Sequence, residues 1–241
     1  MRAETRHQLK QDRFRGATFG AAEATVHWTV EHKSKLVIGS LVLATVLAAT
    51  LGGWYFLNQQ DQKASVQLNQ AVRTLNTPLR APGTPPEPDF PSFASAKDRA
   101  TEAHKQFQTI VDTYSHTRTG EFARYFLGAT ASQLGDSAAA ERDLKTVASS
   151  HNEDLAALAK LALAGVYRNT NRTKEAIDLY HNLIEKPTRS VGKATAQMEL
   201  AATYQFSQQP VEAKRIYEQM QKENPASEIA QFAAQKLQEL K

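Results

Sequence analysis

Three consecutive stretches of this chain align with one another at a spacing of 36 to 37 residues, and that spacing sets the fold class. Residues 121–152 read EFARYFLGATASQLGDSAAAERDLKTVASSHN, residues 157–188 read ALAKLALAGVYRNTNRTKEAIDLYHNLIEKPT, and residues 194–225 read ATAQMELAATYQFSQQPVEAKRIYEQMQKENP. Ala140, Ala176 and Ala213 share one register; Leu144, Tyr180 and Tyr217 follow four residues on, then Val147, Leu183 and Met220 three further. Earlier in each stretch stand Leu127-Gly128, Leu163-Ala164 and Leu200-Ala201, followed by Ala131, Tyr167 and Tyr204. Apolar residues recurring at steps of three and four mark helix faces. A small residue lets the two helices of one unit approach closely, and a large residue at +4 fills the space against the next unit. Such a unit cannot bury its apolar face alone, so copies must stack. The expectation is an all-α chain of stacked helical hairpins over residues 94–241.

A half-unit precedes the three. Ala103, Phe107 and Ile110 stand in the same register, 37 residues before the Ala140 set. The first helix of that unit would fall in NTPLRAPGTPPEPDFPS, which holds six of the nine prolines. Each proline removes an amide donor and fixes φ, so residues 77–93 are expected as a stiff linker or a loop draped over the domain. Residues 58–76 carry Ala64, Leu68, Ala71 and Leu75 on one helical stripe and are expected to stand in for the missing helix. SEIAQFAAQKLQELK at the end reads as the terminal capping helix that a stacked array requires. Turn chemistry points the same way. Gly135-Asp136 and Asn171 suit the turns inside two units, Pro210 suits a first helical turn, and Ser150 with Glu153 is expected to form a capping box.

The front of the chain obeys different physics. Residues 34–60, SKLVIGSLVLATVLAATLGGWYFLNQQ, hold no charge between Lys35 and Asp61. As a helix, residues 36–57 would span ~33 Å against a hydrocarbon core of ~30 Å. Eleven of those residues are Leu, Ile, Val or Phe, contributing roughly −3 to −7 kcal/mol on an insertion scale, partly offset by Thr, Ser and Gly. Trp54, Tyr55 and Phe56 close the run where an aromatic belt belongs. A cleaved signal peptide would have a shorter front and a shorter apolar core. The expectation is a retained single-span transmembrane helix over residues 36–57. Lys33 and Lys35 flank its front, with Arg13 and Arg15 further back, while NQQDQK behind it is nearly neutral. Positive residues stay on the cytoplasmic side, which puts the N-terminus inside and the repeats outside, in the periplasm of a bacterial inner membrane. Ser40, Ala44, Ala48 and Gly52 recur every four residues within the span and form a candidate stripe for packing against another membrane helix.

Residues 1–35 read as a basic, amphipathic cytoplasmic tail, with Phe19, Ala22, Val26 and Val30 on one face and Trp28 beside them. They hold seven Lys/Arg against four Asp/Glu, leaving 22 (29 − 7) against 21 (25 − 4) for the rest. The folded region is therefore nearly neutral, which argues against nucleic acid as a partner. There is no cysteine, and the seven histidines are scattered without ligand spacing. No nucleophile elbow or phosphate loop is present. The chain is accordingly expected not to be an enzyme, with no cofactor, no metal and no small-molecule substrate.

The repeat pattern resembles the tetratricopeptide repeat, whose period is about 34 residues and whose L-G, Y, A, F and P positions match those above. Pro225 fits the last of them, whereas Asn152 and Thr188 do not. The resemblance implies an α-solenoid whose first helices line a concave, protein-binding face. On that register the candidate binding residues are Phe122, Tyr125, Ser132 and Gln133, then Arg168 and Asn169, then Gln205 and Phe206. Leu158, Leu161 and Met198 share the face, with packing the more ordinary role. Tyr125, Leu161 and Met198, with Ala129, Gly165 and Ala202, stand where the family's chaperone adaptors carry a carboxylate clamp, and none can serve in one. The full layout is similar to the YfgM-like ancillary subunits of the bacterial SecYEG translocon. That likeness implies a scaffold beside the translocon, working with a membrane-anchored periplasmic chaperone on exported proteins. The alternative is an accessory structural subunit of another inner-membrane complex, held through its span.

Overall fold

The computed structural model describes residues 33–81, 83–85, 91–223 and 225–240. The amphipathic face expected at Phe19, Ala22, Val26 and Val30, with the basic tail around it, lies outside the described residues. The chain divides into two compact units, Met1–Phe56 and Leu57–Lys241. Among the described residues all regular structure is helical. The first helix, α1, runs Lys33–Leu75 and crosses the division between the units. The second unit continues with α2 (Ala96–Thr113), α3 (Arg118–Leu134), α4 (Ser137–Ala148), α5 (Glu153–Asn169), α6 (Thr173–Glu185), α7 (Lys193–Phe206), α8 (Pro210–Glu223) and α9 (Glu228–Glu239).

In the first unit, α1 is long and apolar enough to cross a membrane, and none of that stretch is buried. Leu41, Leu51 and Trp54 are each more than 60% exposed. A core helix of a water-soluble protein would hide such a run. The hydroxyls of Ser40, Thr45 and Thr50 bond back to carbonyls three or four residues earlier, so they need no outside partner.

Beyond Leu57 the same helix joins the second unit. Ala64 and Ala71 are fully buried and Leu68 and Leu75 half-buried, packed with Ala103, Phe107 and Ile110 of α2 and with Ala123 and Leu127 of α3. This stretch supplies the helix that the proline-rich segment cannot. Asp61 Oδ1 accepts the Thr119 amide at 2.8 Å, placing a carboxylate at the positive N-terminal end of α3. Gln67 donates to the Tyr114 hydroxyl at 3.2 Å. The proline-rich segment is tied at both ends. Arg80 N donates to the Phe93 carbonyl and Phe93 N to that of Pro78, an isolated pairing around Leu79 and Phe93. Arg99 also holds the Thr77 carbonyl at 2.9 Å.

Helices α3 to α8 form three hairpins: α3–α4, α5–α6 and α7–α8. Ala140, Ala176 and Ala213 are all fully buried at the crossing points, and Leu144, Tyr180 and Tyr217 are each at most 2% exposed. The largest core joins the first two hairpins to the start of the third; a smaller one joins Ala201, Ala213, Tyr217 and Met220 to Ala233 of α9. Phe232 of α9 meets Tyr217 edge-on at 6.4 Å. Gly135 closes α3 with φ 86° and Asn171 turns between α5 and α6 with φ 61°. Asp136 caps α4 through the Ala139 amide, and Pro210 opens α8. The expected Ser150–Glu153 box does not form. Asn152 caps α5 through the Leu155 amide at 3.2 Å, while the Ser150 hydroxyl donates to Glu121 of α3. The Ser150 hydroxyl accepts the Asn152 amide at 3.1 Å while it donates to this tertiary partner, so it reaches no amide inside the helix.

The first two hairpins are also joined by charge. Arg172 Nη1 lies 2.6 Å from Glu141, Lys145 lies 2.6 Å from the same carboxylate, and Arg172 also pairs with Glu175. The guanidinium stacks 4.1 Å over the Tyr167 ring. Bonds from Lys145 and then Arg172 hold the Glu141 carboxyl below its ordinary range; Arg172 does the same for Glu175. A depressed carboxyl stabilises the fold above its unfolded pKa, and that contribution disappears as pH falls through the folded value. Glu141→Gln should therefore melt below the parent protein at pH 7, and the gap should close as pH drops below about 4. Melting curves of both proteins across that range measure it.

Candidate protein-binding face

Each hairpin packs its first helix on the first helix of the next, α3 on α5 and α5 on α7, in addition to its own partner. Among the described residues the second helices α4, α6 and α8 do not approach one another as closely. The first helices thus form the inner side of the stack, where helical repeats place their binding surface.

Three small residues run down the middle of this side at equivalent positions: Ala129, Gly165 and Ala202, all half-buried. A Cβ built on Gly165 meets nothing within 4 Å, so the centre of the side is open space. The half-buried Tyr125, Leu161 and Met198 bound it on one flank, and all three also pack on the cores beneath. Tyr125 meets Phe126 edge-on at 5.3 Å, and burial raises its phenol pKa. Half-buried Ser132, Arg168 and Gln205 form the other flank. Phe122 stands at the front of the first helix, exposed, and Gln133, Asn169 and Phe206 are exposed near the rear ends. Phe206, at 55% exposed, is the more open of the two phenylalanines on this face.

The result is a shallow trough with a small-residue floor, apolar on one side and polar on the other. An extended or helical polypeptide could lie in it, with apolar side chains against Tyr125, Leu161 and Met198 and main-chain groups toward Ser132, Arg168 and Gln205. Arg168, expected as the one clear charge here, is tied to Glu199 of α7 at 3.0 Å. The face therefore presents an ion pair in place of a free cation. Glu199 was not legible as part of the site, because its link to Arg168 joins neighbouring units at a separation that is not the repeat.

A family profile described as a tetratricopeptide repeat-like domain matches residues 26–187, 162 of the 241. The chain belongs to that family. The tetratricopeptide match begins ahead of α1 and ends after α6, and the α7–α8 hairpin continues the same register beyond it. Comparison with curated proteins and with solved structures returned no match. Domains of this family are scaffolds for protein–protein interaction, which the trough suits. Among the described residues no cluster of His, Asp or Glu could hold a metal.

Proposed function

We propose that this tetratricopeptide protein is a non-catalytic scaffold, held in a membrane by the first part of α1, that grips other proteins along the trough of α3, α5 and α7. The observation that carries the reading is the open floor at Ala129, Gly165 and Ala202, bounded by apolar and hydrogen-bonding flanks. Support for anchoring comes from the fully exposed apolar stretch of α1 and from a family match that runs through it. Residues 36–57 are the span, the N-terminus is cytoplasmic, and the repeats lie in the bacterial periplasm, on the charge asymmetry around Lys33 and Lys35. The finer reading is an ancillary role beside the SecYEG translocon and a membrane-anchored chaperone. The stripe of Ser40, Ala44, Ala48 and Gly52, open along its length at Gly52, is the surface by which the span would pack on another membrane helix.

Gly165→Trp tests the trough, because a Cβ at this position meets nothing within 4 Å, and a melting curve matching the parent's confirms that the variant is folded. Proteins that copurify with the detergent-extracted parent, and purified SecYEG if the finer reading holds, should be lost from this variant. They should be retained by Lys214→Trp on the exposed side of α8. Equal recovery from both variants removes the trough from the function.

A further inference from the structure

A second surface lies away from the trough, in the groove between the second helices α4 and α6 with α5 at its base. Its floor is Ala148, Ala156, Ala157 and Leu183; Lys160, Asn182 and Lys186 stand over it. Its volume is about 480 Å³, in the range of ligand clefts. Ser149, Ser150, Pro187 and Thr188 complete the rim, as does Glu153.

The repeats themselves show what this position requires. In the third hairpin, Glu223 stands where the middle hairpin has Lys186, one register of 37 residues earlier. Its carboxylate takes three donors: Lys193 at 2.7 Å, Gln219 at 2.8 Å and Gln197 at 3.1 Å. Those bonds hold the Glu223 carboxyl below its ordinary range. In the first hairpin the equivalent residue is Ser150, 36 residues before Lys186, and it donates to Glu121 of α3 at 3.0 Å. In both flanking units the second helix is thus cross-linked to the first at this point. In the middle unit Lys186 makes no such link, and the two helices are tied instead through Lys160 and Asn182. Alanines 156 and 157 replace Lys193 and Glu121 at the matching places, and Lys186 meets no acidic or amide partner among the described residues. Lys160 and Asn182, at the positions of Gln197 and Gln219, bond only to each other, at 3.1 Å. Two of the three donor positions around the carboxylate next door are polar here, Lys160 and Asn182, and a second ammonium, Lys186, stands where that carboxylate would be.

We infer that the α4–α5–α6 groove is a second protein-binding site, which takes an aspartate or glutamate side chain of a partner polypeptide between Lys160 and Lys186, with a neighbouring apolar residue on Ala156, Ala157 and Leu183. Two ammonium groups against the single Glu153 carboxylate leave the groove positive, and the apolar floor gives the segment something to bury. The site is separate from the trough and does not depend on it.

The test is an array of random hexapeptides, acetylated and amidated at their ends, probed with the full chain in detergent at low salt. Bound sequences should be enriched in Asp or Glu beside Leu, Ile, Val or Phe. The best of them, resynthesised with Gln for Glu, should bind tenfold or more weakly, the loss expected when one partner of a partly desolvated charge pair is removed. Glu153→Gln should bind them more tightly. The double variant Ala156→Lys with Lys186→Glu recreates the Lys193–Glu223 link of the third unit; it should keep the parent's melting temperature or exceed it, and should lose the peptides. No acidic preference, retention of the peptides by the folded double variant, or stronger binding of free C-terminal carboxylates than of internal acids would each overturn the assignment.

Discussion

Gly120→Ala should be the most damaging alanine substitution among the described glycines. Gly120 lies in the first turn of α3, and a Cβ there would stand 2.1 Å from the Tyr114 carbonyl oxygen and 2.9 Å from its carbon. Those atoms are backbone and cannot rotate away. The Tyr114 carbonyl also accepts the Thr117 amide at 3.0 Å and the Thr117 hydroxyl at 2.9 Å, and Thr117 in turn caps α3 through the Gly120 amide. Relieving the clash therefore breaks the cap and moves Tyr114 out of the core it shares with Phe107, Ile110 and Leu127. The expected cost is about 3 kcal/mol or more, the upper end for overpacking. For a unit of this size that lowers the melting temperature by roughly 6–12 °C. Thermal unfolding of the detergent-extracted full chain followed by circular dichroism measures it, and a change of a degree or less would show that the α2–α3 turn is not packed as described.

Tyr180→Ala should cost as much or more, for a different reason. Tyr180 is 1% exposed in the middle of the largest core, with its hydroxyl beside the buried Thr203 of α7, and burial raises its phenol pKa. It belongs to the second hairpin and reaches the third, so its removal opens a cavity at the joint between units. Truncating a buried aromatic to alanine costs about 3–5 kcal/mol, a fall of roughly 6–20 °C in melting temperature. Tyr180→Phe keeps the volume and should fall far less. If the two variants melted together, the hydroxyl and not the packing would be holding the joint.

The packing of the hairpins was legible in the sequence because it is set by local steps of three and four and by one register of 36 or 37. Ala140, Ala176 and Ala213 are buried as their spacing predicts, and so are Leu144, Tyr180 and Tyr217. Gly135, Asn171 and Pro210 sit in the turns their chemistry favours. What escaped was side-chain contact between helices distant in sequence. Ser150 looked like a helix cap and is bound to Glu121, 29 residues earlier; Asn152 does the capping. Arg168 reads from the sequence as a candidate binding residue, and its pairing with Glu199 of the next unit has no sequence signal. The proline-rich stretch gave no sign that Leu79 and Phe93 would pair, since one isolated bridge has no period. The groove over Ala156 and Ala157 is visible only when the three hairpins are set side by side in space, because its meaning lies in a carboxylate that the third unit has at Glu223 and the middle unit replaces with Lys186.

Stability and the proposed recognition draw on different parts of the same helices. Positions that point from α3, α5 and α7 toward their partners carry Leu127, Leu163 and Leu200, all nearly or fully buried. Positions on the inner side carry small or half-buried residues with room above them. On the proposed reading Gly165→Trp acts on binding, whereas Gly120→Ala and Tyr180→Ala act through the fold.

The most direct measurement is site-specific photo-crosslinking in intact membranes. A photoreactive side chain is placed in turn at Ala129, Gly165 and Ala202 in the trough and at Lys214 and Glu218 on the exposed side of α8. A membrane-held scaffold that grips proteins in the trough predicts discrete protein adducts from the three inner positions, recovered with the membrane fraction, and none from the two outer ones. Adducts from the outer positions alone, or a cross-linked product found free in the soluble fraction, would contradict it.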